Sequence, residues 1–405
     1  MVPKEGIEPS FPWEHDFESC ASANSATPAT ELNLVYLISC EGSRIFTIMQ
    51  LGIIGLPQSG KTTIFNTLTR GNHPTGAITG KIEVHTAVVD VPDARVDVLS
   101  AMFKPKKTIY AKVTYADIAG LDGSAGKSGI SGTLLNQLTQ MTGLILVVRC
   151  FEDDNIPHQS GSINAQRDIE TMESEFIIND LIMVERKLER LQDEFRKGGG
   201  RDKSLIRHEI DLFERLQQAL TEEKPLRDLD LSPEDEKDLS GYGFLSQKPM
   251  MIILNVSEGQ TPPEIKYAHT KSTVISLQGK LEMDIAQLPP EDAAIFMEEY
   301  GLTEPTLNKM IQISYQLLGL MSFFTVGEDE VRAWTVEKGA TAPVAAGVIH
   351  TDLQKGFIRA EVIHDTELIE LGSMAEAKNK GKLRLEGKEY PVKDGDILNI
   401  RFNVK

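Results

Sequence analysis

The sequence predicts an α/β protein with a helical insertion and a smaller α+β domain at its C-terminal end. From Met49 onward, apolar segments rich in β-branched residues alternate with amphipathic segments of helical period, which is typical of a mainly parallel sheet flanked by helices. Between about residues 160 and 240 the helical period continues without a strand. From Ser322 onward the chain changes to short, closely spaced strand patterns.

These patterns divide the chain after Met49 into three parts. The α/β domain comprises residues 49–160 and 240–320, with strands expected at 49–54, 84–91, 109–116, 144–149, 249–255 and 273–276. Residues 161–239 form the insertion. The C-terminal domain comprises residues 321–405, with one short helix near 341–349 and strands expected at 322–326, 331–336, 356–363, 383–385, 390–392 and 397–404.

The insertion predicts two antiparallel helices. Apolar residues recur at alternating intervals of four and three, first at Ile177, Leu181, Val184, Leu188, Leu191 and Phe195 and then at Ile206, Ile210, Phe213, Leu216 and Leu220. Three glycines at 198–200 separate the two seams, so the helices would bury them against each other across a turn. This tip carries Arg196, Lys197, Arg201, Lys203 and Arg207 against Asp202. Such charges favour a solvated tip and a contact with a polyanion equally.

Residues 1–48 differ from the rest of the chain. Residues 21–31 are rich in Ala, Ser and Thr and predict disorder. The apolar run that follows ends in Leu37-Ile-Ser-Cys40, which resembles a lipidation box, but acidic residues precede it where an export signal needs basic ones. We therefore expect a disordered or spurious extension, with Met49 as the natural start of the protein.

The composition excludes several classes of protein. The 405 residues are 40% hydrophobic and carry a net charge of −18, which argues against DNA binding through a broadly basic surface. Three scattered cysteines show no zinc spacing and no disulfide framework, which favours a reducing compartment. No apolar run reaches the ~18 residues that a membrane span needs. The least acidic part is residues 322–405, with 12 basic and 14 acidic residues.

The segment Gly55-Leu-Pro-Gln-Ser-Gly-Lys-Thr62 has the form G-x-x-x-x-G-K-[ST] and joins a predicted strand to a predicted helix. Such a loop binds nucleotide phosphates, because its backbone N–H groups and the helix N-terminus point at one place. Lys61 would reach the β- and γ-phosphates, and the Thr62 hydroxyl would bind Mg²⁺. We expect the phosphates to be lined by Gly55, Gln58, Ser59, Gly60, Lys61, Thr62 and Thr63. A glycine turn without a ligand is the alternative.

A carboxylate for the metal is expected at the end of another strand. Asp117 ends the apolar run 109–116 and is followed three residues later by Gly120. Asp117 would hold Mg²⁺ through water, and the Gly120 N–H could meet the γ-phosphate. We therefore assign Lys61 and Gly120 to catalysis and Thr62 and Asp117 to the metal.

Recognition of the base is expected at Asn255-Val-Ser-Glu258, after the strand 249–255. GTP-binding proteins of this type have Asn-Lys-x-Asp there, and the Asp accepts hydrogen bonds from two guanine donors. Here Val256 and the longer Glu258 replace the Lys and the Asp, which favours ATP, whereas Asn255 could bond the N7 of either purine. We expect these three residues and Ser276 to surround the base. A strand end capped by Asn255 is the alternative.

These motifs resemble those of the YchF type of Obg-like ATPases, as do residues 147–153, 332–343, 345–352 and 355–361. The resemblance covers about residues 49–405. It implies a P-loop NTPase G domain with an inserted helical hairpin, and a C-terminal TGS domain, which is a ubiquitin-like β-grasp. It also implies ATP preference, a cytoplasmic location and a role linked to the ribosome or to stress, for a protein that we expect to be monomeric.

The chain departs from the usual GTPase pattern at Leu121 and from the family pattern at Lys81 and Leu146. Leu121 stands where many GTPases have a Gln that orients the attacking water, and the family shares this apolar residue. Lys81 stands where the family has a Thr that ligates Mg²⁺, with Thr79 two residues earlier, and Leu146 stands where it often has His. We therefore expect slow turnover or none. The three hypotheses are a slow ATPase that acts on translation, a GTPase with relaxed base choice, and a non-hydrolysing nucleotide sensor that binds RNA or protein.

Overall fold

The computed structural model describes residues 49–71, 84–118, 130, 132–153, 157–198, 200–299 and 305–403. The predicted extension of residues 1–48 lies outside this set, as do Thr79, Lys81, Gly120 and Leu121. Within the described residues the chain forms two six-stranded sheets and a helical hairpin. In that part of the chain, no helix is both long and apolar enough to cross a bilayer.

The first sheet has the strand order β2-β4-β1-β5-β6-β7. Its strands are β1 (Gln50–Ile54), β2 (Val84–Asp90), β4 (Lys112–Ile118), β5 (Gly143–Arg149), β6 (Met250–Asn255) and β7 (Ser272–Leu277). All neighbours are parallel except β2, which is antiparallel to β4. Every residue of β5 and β6 is buried, as their continuous apolar runs predict. The carboxyl ends of the parallel strands therefore meet at one edge, where α/β proteins bind ligands.

Helices cover both faces of this sheet. They are α1 (Lys61–Thr69), α2 (Ala94–Phe103), α3 (Gly132–Gln140), α7 (Gly279–Gln287) and α9 (Thr306–Leu317), and α8 (Pro290–Glu299) lies between α7 and α9 in the chain. One apolar core lies under α1, α2 and α9, and a second lies under α3 and the first turns of the hairpin.

The insertion forms the predicted pair of helices, α4 (Ala165–Lys197) and α5 (Lys203–Thr221). Most residues of the two seams are buried in one cluster, while Leu181 and Phe195 are half-buried. Gly198 ends α4 with a φ of +70°, and the Asp202 side chain accepts a hydrogen bond from Ser204 N at the start of α5. A 3-10 turn (Leu226–Asp228) and α6 (Pro233–Leu239) lead back to the first sheet.

The second sheet has the strand order β11-β10-β12-β8-β9-β3. Its strands are β3 (Lys107–Ile109), β8 (Leu320–Val326), β9 (Glu330–Glu337), β10 (Phe357–His364), β11 (Arg384–Glu386) and β12 (Asp396–Phe402). The helix α10 (Ala342–Ile349) packs on one face, as a β-grasp fold requires. It is followed by α11 (Thr351–Lys355), α12 (Asp365–Leu371) and α13 (Met374–Asn379).

Three expectations about the strands and helices of the chain were wrong. The predicted strand 109–116 is two strands: Ile109 belongs to β3, which pairs in parallel with β9, and only β4 belongs to the first sheet. Residues 390–392 form no strand, because proline has no N–H to donate, and Pro391 makes an isolated bridge with Thr341. The helices α11–α13 were missed because five to seven residues are too few to show a period.

Candidate functional site

The glycines of the phosphate loop stand where a side chain would not fit. Gly55 has a φ of +148°, and a Cβ there would lie 2.3 Å from the Val147 carbonyl oxygen. Gly60 has a φ of +97°, and a Cβ there would lie 2.2 Å from Nδ2 of Asn255. Both positions therefore require glycine for backbone conformation and for close approach. Gln58 also has a positive φ of 60° and is exposed.

The Lys61 amine lies over the loop. Its Nζ donates hydrogen bonds to the carbonyl oxygens of Gly55, at 3.0 Å, and Leu56, at 2.9 Å. Thr62 and Thr63 follow in the first turn of α1 and are half-buried. The N–H groups of a first helical turn have no partner within the helix, and the helix dipole adds partial positive charge. This end of α1 is therefore suited to bind an anion.

Thr62 and Asp117 meet beside the loop. The Thr62 Oγ1 donates a hydrogen bond of 3.0 Å to Oδ2 of Asp117, which is 4% exposed. The parallel register that pairs Ile53 of β1 with Asp117 of β4 brings them together. A hydroxyl and a carboxylate are hard oxygen donors that fit Mg²⁺, which uses one or two protein ligands beside phosphate and water. The described residues hold no cluster of three or more His, Cys, Asp or Glu that would form a full metal cage.

Asn255 joins three segments of the site. Its Nδ2 donates to the Ser59 carbonyl oxygen at 3.0 Å, and its Oδ1 accepts from the Gly279 N–H at 3.1 Å. The side chain is 5% exposed. The sequence assigned Asn255 to the base, and the structure adds a contact with the phosphate loop and with α7. An amide group carries two N–H donors, so the hydrogen bond to Ser59 uses one of the two.

The other predicted base contacts lie in different surroundings. The Val256 side chain is 5% exposed and packs in the core, so only its backbone could meet a base. Glu258 is exposed three residues beyond the end of β6, and Ser276 is exposed within β7, one residue before its end, at the same sheet edge as the loop. Gly120 lies outside the described residues.

Sequence reasoning missed a group of buried polar side chains behind the loop. Arg149, His158 and Asp168 line, together with Ser59, a cavity of about 10 Å³. The available signal was Arg149 itself, a charged residue at the end of the otherwise apolar strand β5. Charged residues are rarely fully buried unless they are paired.

The strand–loop–helix, the Thr62–Asp117 contact and the parallel sheet define a P-loop nucleotide-binding protein. Residues 50–187 match a family described as "50S ribosome-binding GTPase", and residues 320–403 match the family YchF-GTPase_C, described as a protein of unknown function. The chain belongs to the YchF family, as its motifs predicted.

The alignments with similar proteins cover nearly the whole length of each relative. "Ribosome-binding ATPase YchF" of Bacillus subtilis is 39% identical, and that of Escherichia coli O157:H7 is 42% identical. Each alignment covers 87% of this chain and 99% of the relative. "Obg-like ATPase 1" of Caenorhabditis elegans is 34% identical, over 89% of this chain and 93% of the relative. The solved structure of the Schizosaccharomyces pombe YchF GTPase is 31% identical, has a TM-score of 0.76 and covers 88% of this chain and 99% of its own.

Proposed function

We propose that the chain is a nucleotide-dependent switch protein that prefers ATP, hydrolyses it slowly with Mg²⁺ and acts on the ribosome in the cytoplasm. The observation that carries this proposal is the 3.0 Å contact of Thr62 with Asp117 beside a phosphate loop whose glycines cannot be replaced. Relatives named ribosome-binding ATPases support the partner and the reaction.

Each residue of the loop has a proposed role. Lys61 leaves the carbonyl oxygens of Gly55 and Leu56 and binds the β- and γ-phosphates. Thr62 would ligate Mg²⁺, and Asp117 would hold it directly or through water. When bound, the ion neutralises charge on the phosphate oxygens. The Gly120 N–H is proposed to meet the γ-phosphate.

ATP preference rests on Glu258, because the longer carboxylate and the absence of the Lys alter the features that select guanine. A GTPase with relaxed base choice is the second candidate. Asn255 favours this second candidate, because the amide that contacts the phosphate loop could bond the N7 of adenine and of guanine alike. The related solved structure is also titled a GTPase.

Slow turnover is supported by Leu146, which is 1% exposed in the core and has no polar atom to offer. A non-hydrolysing sensor that binds RNA or protein through its C-terminal domain is therefore the third candidate.

Release of phosphate from ATP and from GTP, with and without ribosomes, separates these candidates. Slow release from ATP that ribosomes accelerate supports the first. Binding of ATP without release in either condition favours the sensor, and faster release from GTP than from ATP overturns the preference for ATP.

The expectations of a monomer without membrane or DNA partners complete the proposal. Sedimentation equilibrium of the full chain tests the monomer. The expected mass is that of one chain, 44.8 kDa. A concentration-dependent rise to twice that mass would contradict it.

A further inference from the structure

A small cavity lies between the phosphate loop and the first turns of the inserted hairpin. Its volume is about 10 Å³. The loop contributes Ser59, strand β5 contributes Val147 and Arg149, and α4 contributes Asp168, with His158 from the segment before α4. These side chains come from three separate parts of the chain, so the cavity is a junction between them.

Side chains that line this cavity carry buried polar atoms without hydrogen-bond partners among the described residues. Ser59 is 1% exposed, and within the described part of the chain its Oγ has no hydrogen-bond partner. Arg149 is 4% exposed: its Nε donates to the Phe151 carbonyl oxygen at 3.1 Å, while its Nη1 has no hydrogen-bond partner in the residues that the structure describes. Buried polar groups are nearly always satisfied in native proteins, so each exception needs an explanation.

Asp168 supplies an acceptor at the same place. Its Oδ1 accepts hydrogen bonds from Arg167, at 3.0 and 2.8 Å. Its Oδ2 lies 3.0 Å from Nε2 of His158, outside hydrogen-bond geometry, and accepts no hydrogen bond from any other described residue. The cavity therefore has a donor in Arg149, an acceptor in Asp168 and, in the Ser59 hydroxyl, a group that serves as either.

We propose that this cavity holds one ordered water, and that Arg149 acts through it as a positioning residue for the phosphate loop. A buried water needs about 10–15 Å³ and two to four polar partners. The water would accept from Arg149 Nη1, donate to Asp168 Oδ2 and share a hydrogen bond with Ser59 Oγ. The positive charge of the Arg149 guanidinium disfavours a cation in the cavity. The cavity is too small for any organic molecule.

The water would connect the loop with the hairpin. The Ser59 carbonyl oxygen is already held by Asn255, so its hydroxyl provides the second attachment of the same residue. The other end of the link is Asp168, in the first turn of α4. A nucleotide that moves the loop would then move the base of the hairpin as well. This coupling rests on the proposed function, because it requires a nucleotide at the loop.

A positioning role and a structural role predict different results for Arg149→Met. Arg149→Met removes the guanidinium, including the Nε–H that donates to the Phe151 carbonyl oxygen, and leaves an apolar side chain in its place. A structural role therefore predicts that the nucleotide-free melting temperature changes together with nucleotide affinity. Positioning predicts that the melting temperature is kept or raised while ATP affinity falls roughly five- to tenfold, the low end of usual coupling between sites.

The test uses the full chain, with Arg149→Met, Ser59→Ala and the double variant. The control is Arg190→Met, which removes an exposed arginine of α4, the helix that carries Asp168. Calorimetry should show that the ATP affinity of the double variant equals that of whichever single variant has the lower affinity. Both changes remove the same shared water, so their effects should not add. ATP should slow amide hydrogen exchange at residues 165–172 in the wild type and in Arg190→Met, but not in Arg149→Met. Additive losses, or unchanged affinity in Arg149→Met, would overturn the proposal.

A second measurement needs no nucleotide. A high-resolution crystal structure of the nucleotide-free chain should show one water within hydrogen-bond distance of Ser59 Oγ, Arg149 Nη1 and Asp168 Oδ2. A dry cavity would overturn the proposal.

If the wild type binds neither ATP nor GTP, the proposed function fails, and the same double-mutant cycle on the free energy of unfolding then decides the link. Coupling between the two positions supports it, and additivity refutes it.

Discussion

At the scale of single residues, the site depends on a few polar atoms whose positions are fixed by neighbouring strands. Asp117 is the second-last residue of β4 and meets Thr62 at 3.0 Å because β1 and β4 are parallel neighbours. Asn255 ends β6 and holds the Ser59 carbonyl oxygen in the same way from the other side. The loop is thus held between two strand ends before any nucleotide arrives, which reduces the ordering that binding would cost.

Removal of the Asp117 charge should separate metal-dependent hydrolysis from nucleotide binding. In Asp117→Asn the amide keeps the shape but is a poorer ligand for Mg²⁺, so we expect hydrolysis to fall by about 100-fold or more, as for loss of a group that stabilises transition-state charge. Binding of ATP without Mg²⁺ should change little. Phosphate release and calorimetry with and without Mg²⁺ check this, with the exposed Asp211→Asn as control. Equal losses with and without the ion would contradict the assignment.

Truncation of Asn255 should weaken the binding of both nucleotides. Asn255→Ala leaves the Ser59 carbonyl oxygen and the Gly279 N–H without their partner, which costs about 1–3 kcal/mol for buried groups. We expect the free energy of unfolding to fall by that amount, and ATP and GTP affinities to fall by similar factors. Urea unfolding and calorimetry measure these changes. A loss confined to one nucleotide would show that Asn255 acts on the base alone.

At the scale of elements, the inserted hairpin is a rigid unit with its own core. Its two seams bury apolar residues against each other, and its base is held to the α/β domain by buried polar contacts. Arg227 donates to Glu173 at 2.5 Å and to the Tyr267 hydroxyl at 2.6 Å. Asp180 accepts hydrogen bonds from the backbone N–H groups of Leu245 and Ser246. These contacts fix the direction in which the hairpin leaves the domain.

The seam should dominate the stability of the hairpin. Ile210 is 5% exposed and lies in the hairpin cluster, so Ile210→Ala should destabilise the chain by about 2–5 kcal/mol. Ile178 on α4 is 51% exposed, so the same change there should cost no more than about 0.5 kcal/mol. Urea unfolding of the two variants makes the comparison. Equal losses would mean that the seam does not carry the packing.

The contact between Asp180 and residues 245–246 should make stability depend on pH. Burial raises the pKa of the Asp180 carboxyl to about 6, although its hydrogen bonds oppose the shift. Between the ordinary pKa of an aspartate, about 3.8, and pH 6, the folded state therefore binds more protons than the unfolded state. The contribution of Asp180 to stability falls as the pH rises through this range.

Asp180→Asn removes the titrating group and tests this dependence. We expect the curve of unfolding free energy against pH to lose the part of its slope between about pH 4 and 6 that Asp180 causes. Urea unfolding at pH values across that range measures it. If the unfolding free energies of the wild type and of Asp180→Asn had the same slope against pH, other carboxylates would decide the pH dependence.

At the scale of the whole molecule, the segment between β2 and β4 joins the two sheets. It leaves the first sheet, forms α2, adds β3 to the edge of the second sheet and returns to β4, which contains Asp117. Arg95 of α2 donates to Asp394 at 2.8 Å and lies over the Phe324 ring. The neighbouring carboxylates raise the pKa of the Arg95 guanidinium further, against the effect of burial. The strand that carries Asp117 therefore follows directly on a strand of the second sheet.

The sequence predicted the parts of this architecture that repeat a period or a motif. The seams of α4 and α5, the buried strands β5 and β6 and the loop at Gly55 each show a local pattern, and the structure has them. The strand β3 could not be predicted, because its partner β9 lies more than 200 residues away and three residues carry no period. The second role of Asn255 and the cavity at Arg149 depend on which strand ends become neighbours, which no local pattern shows.

The proposed switch depends on ATP binding at the phosphate loop. Calorimetric titration of the full chain with ATP and with GTP, in the presence of Mg²⁺, tests it most directly. We predict saturable binding of ATP, weaker binding of GTP, no binding of either by Lys61→Ala, and wild-type binding by Lys388→Ala, which removes an exposed lysine far from the loop in sequence. Equal binding of ATP by the wild type and by Lys61→Ala would contradict the assignment of the site.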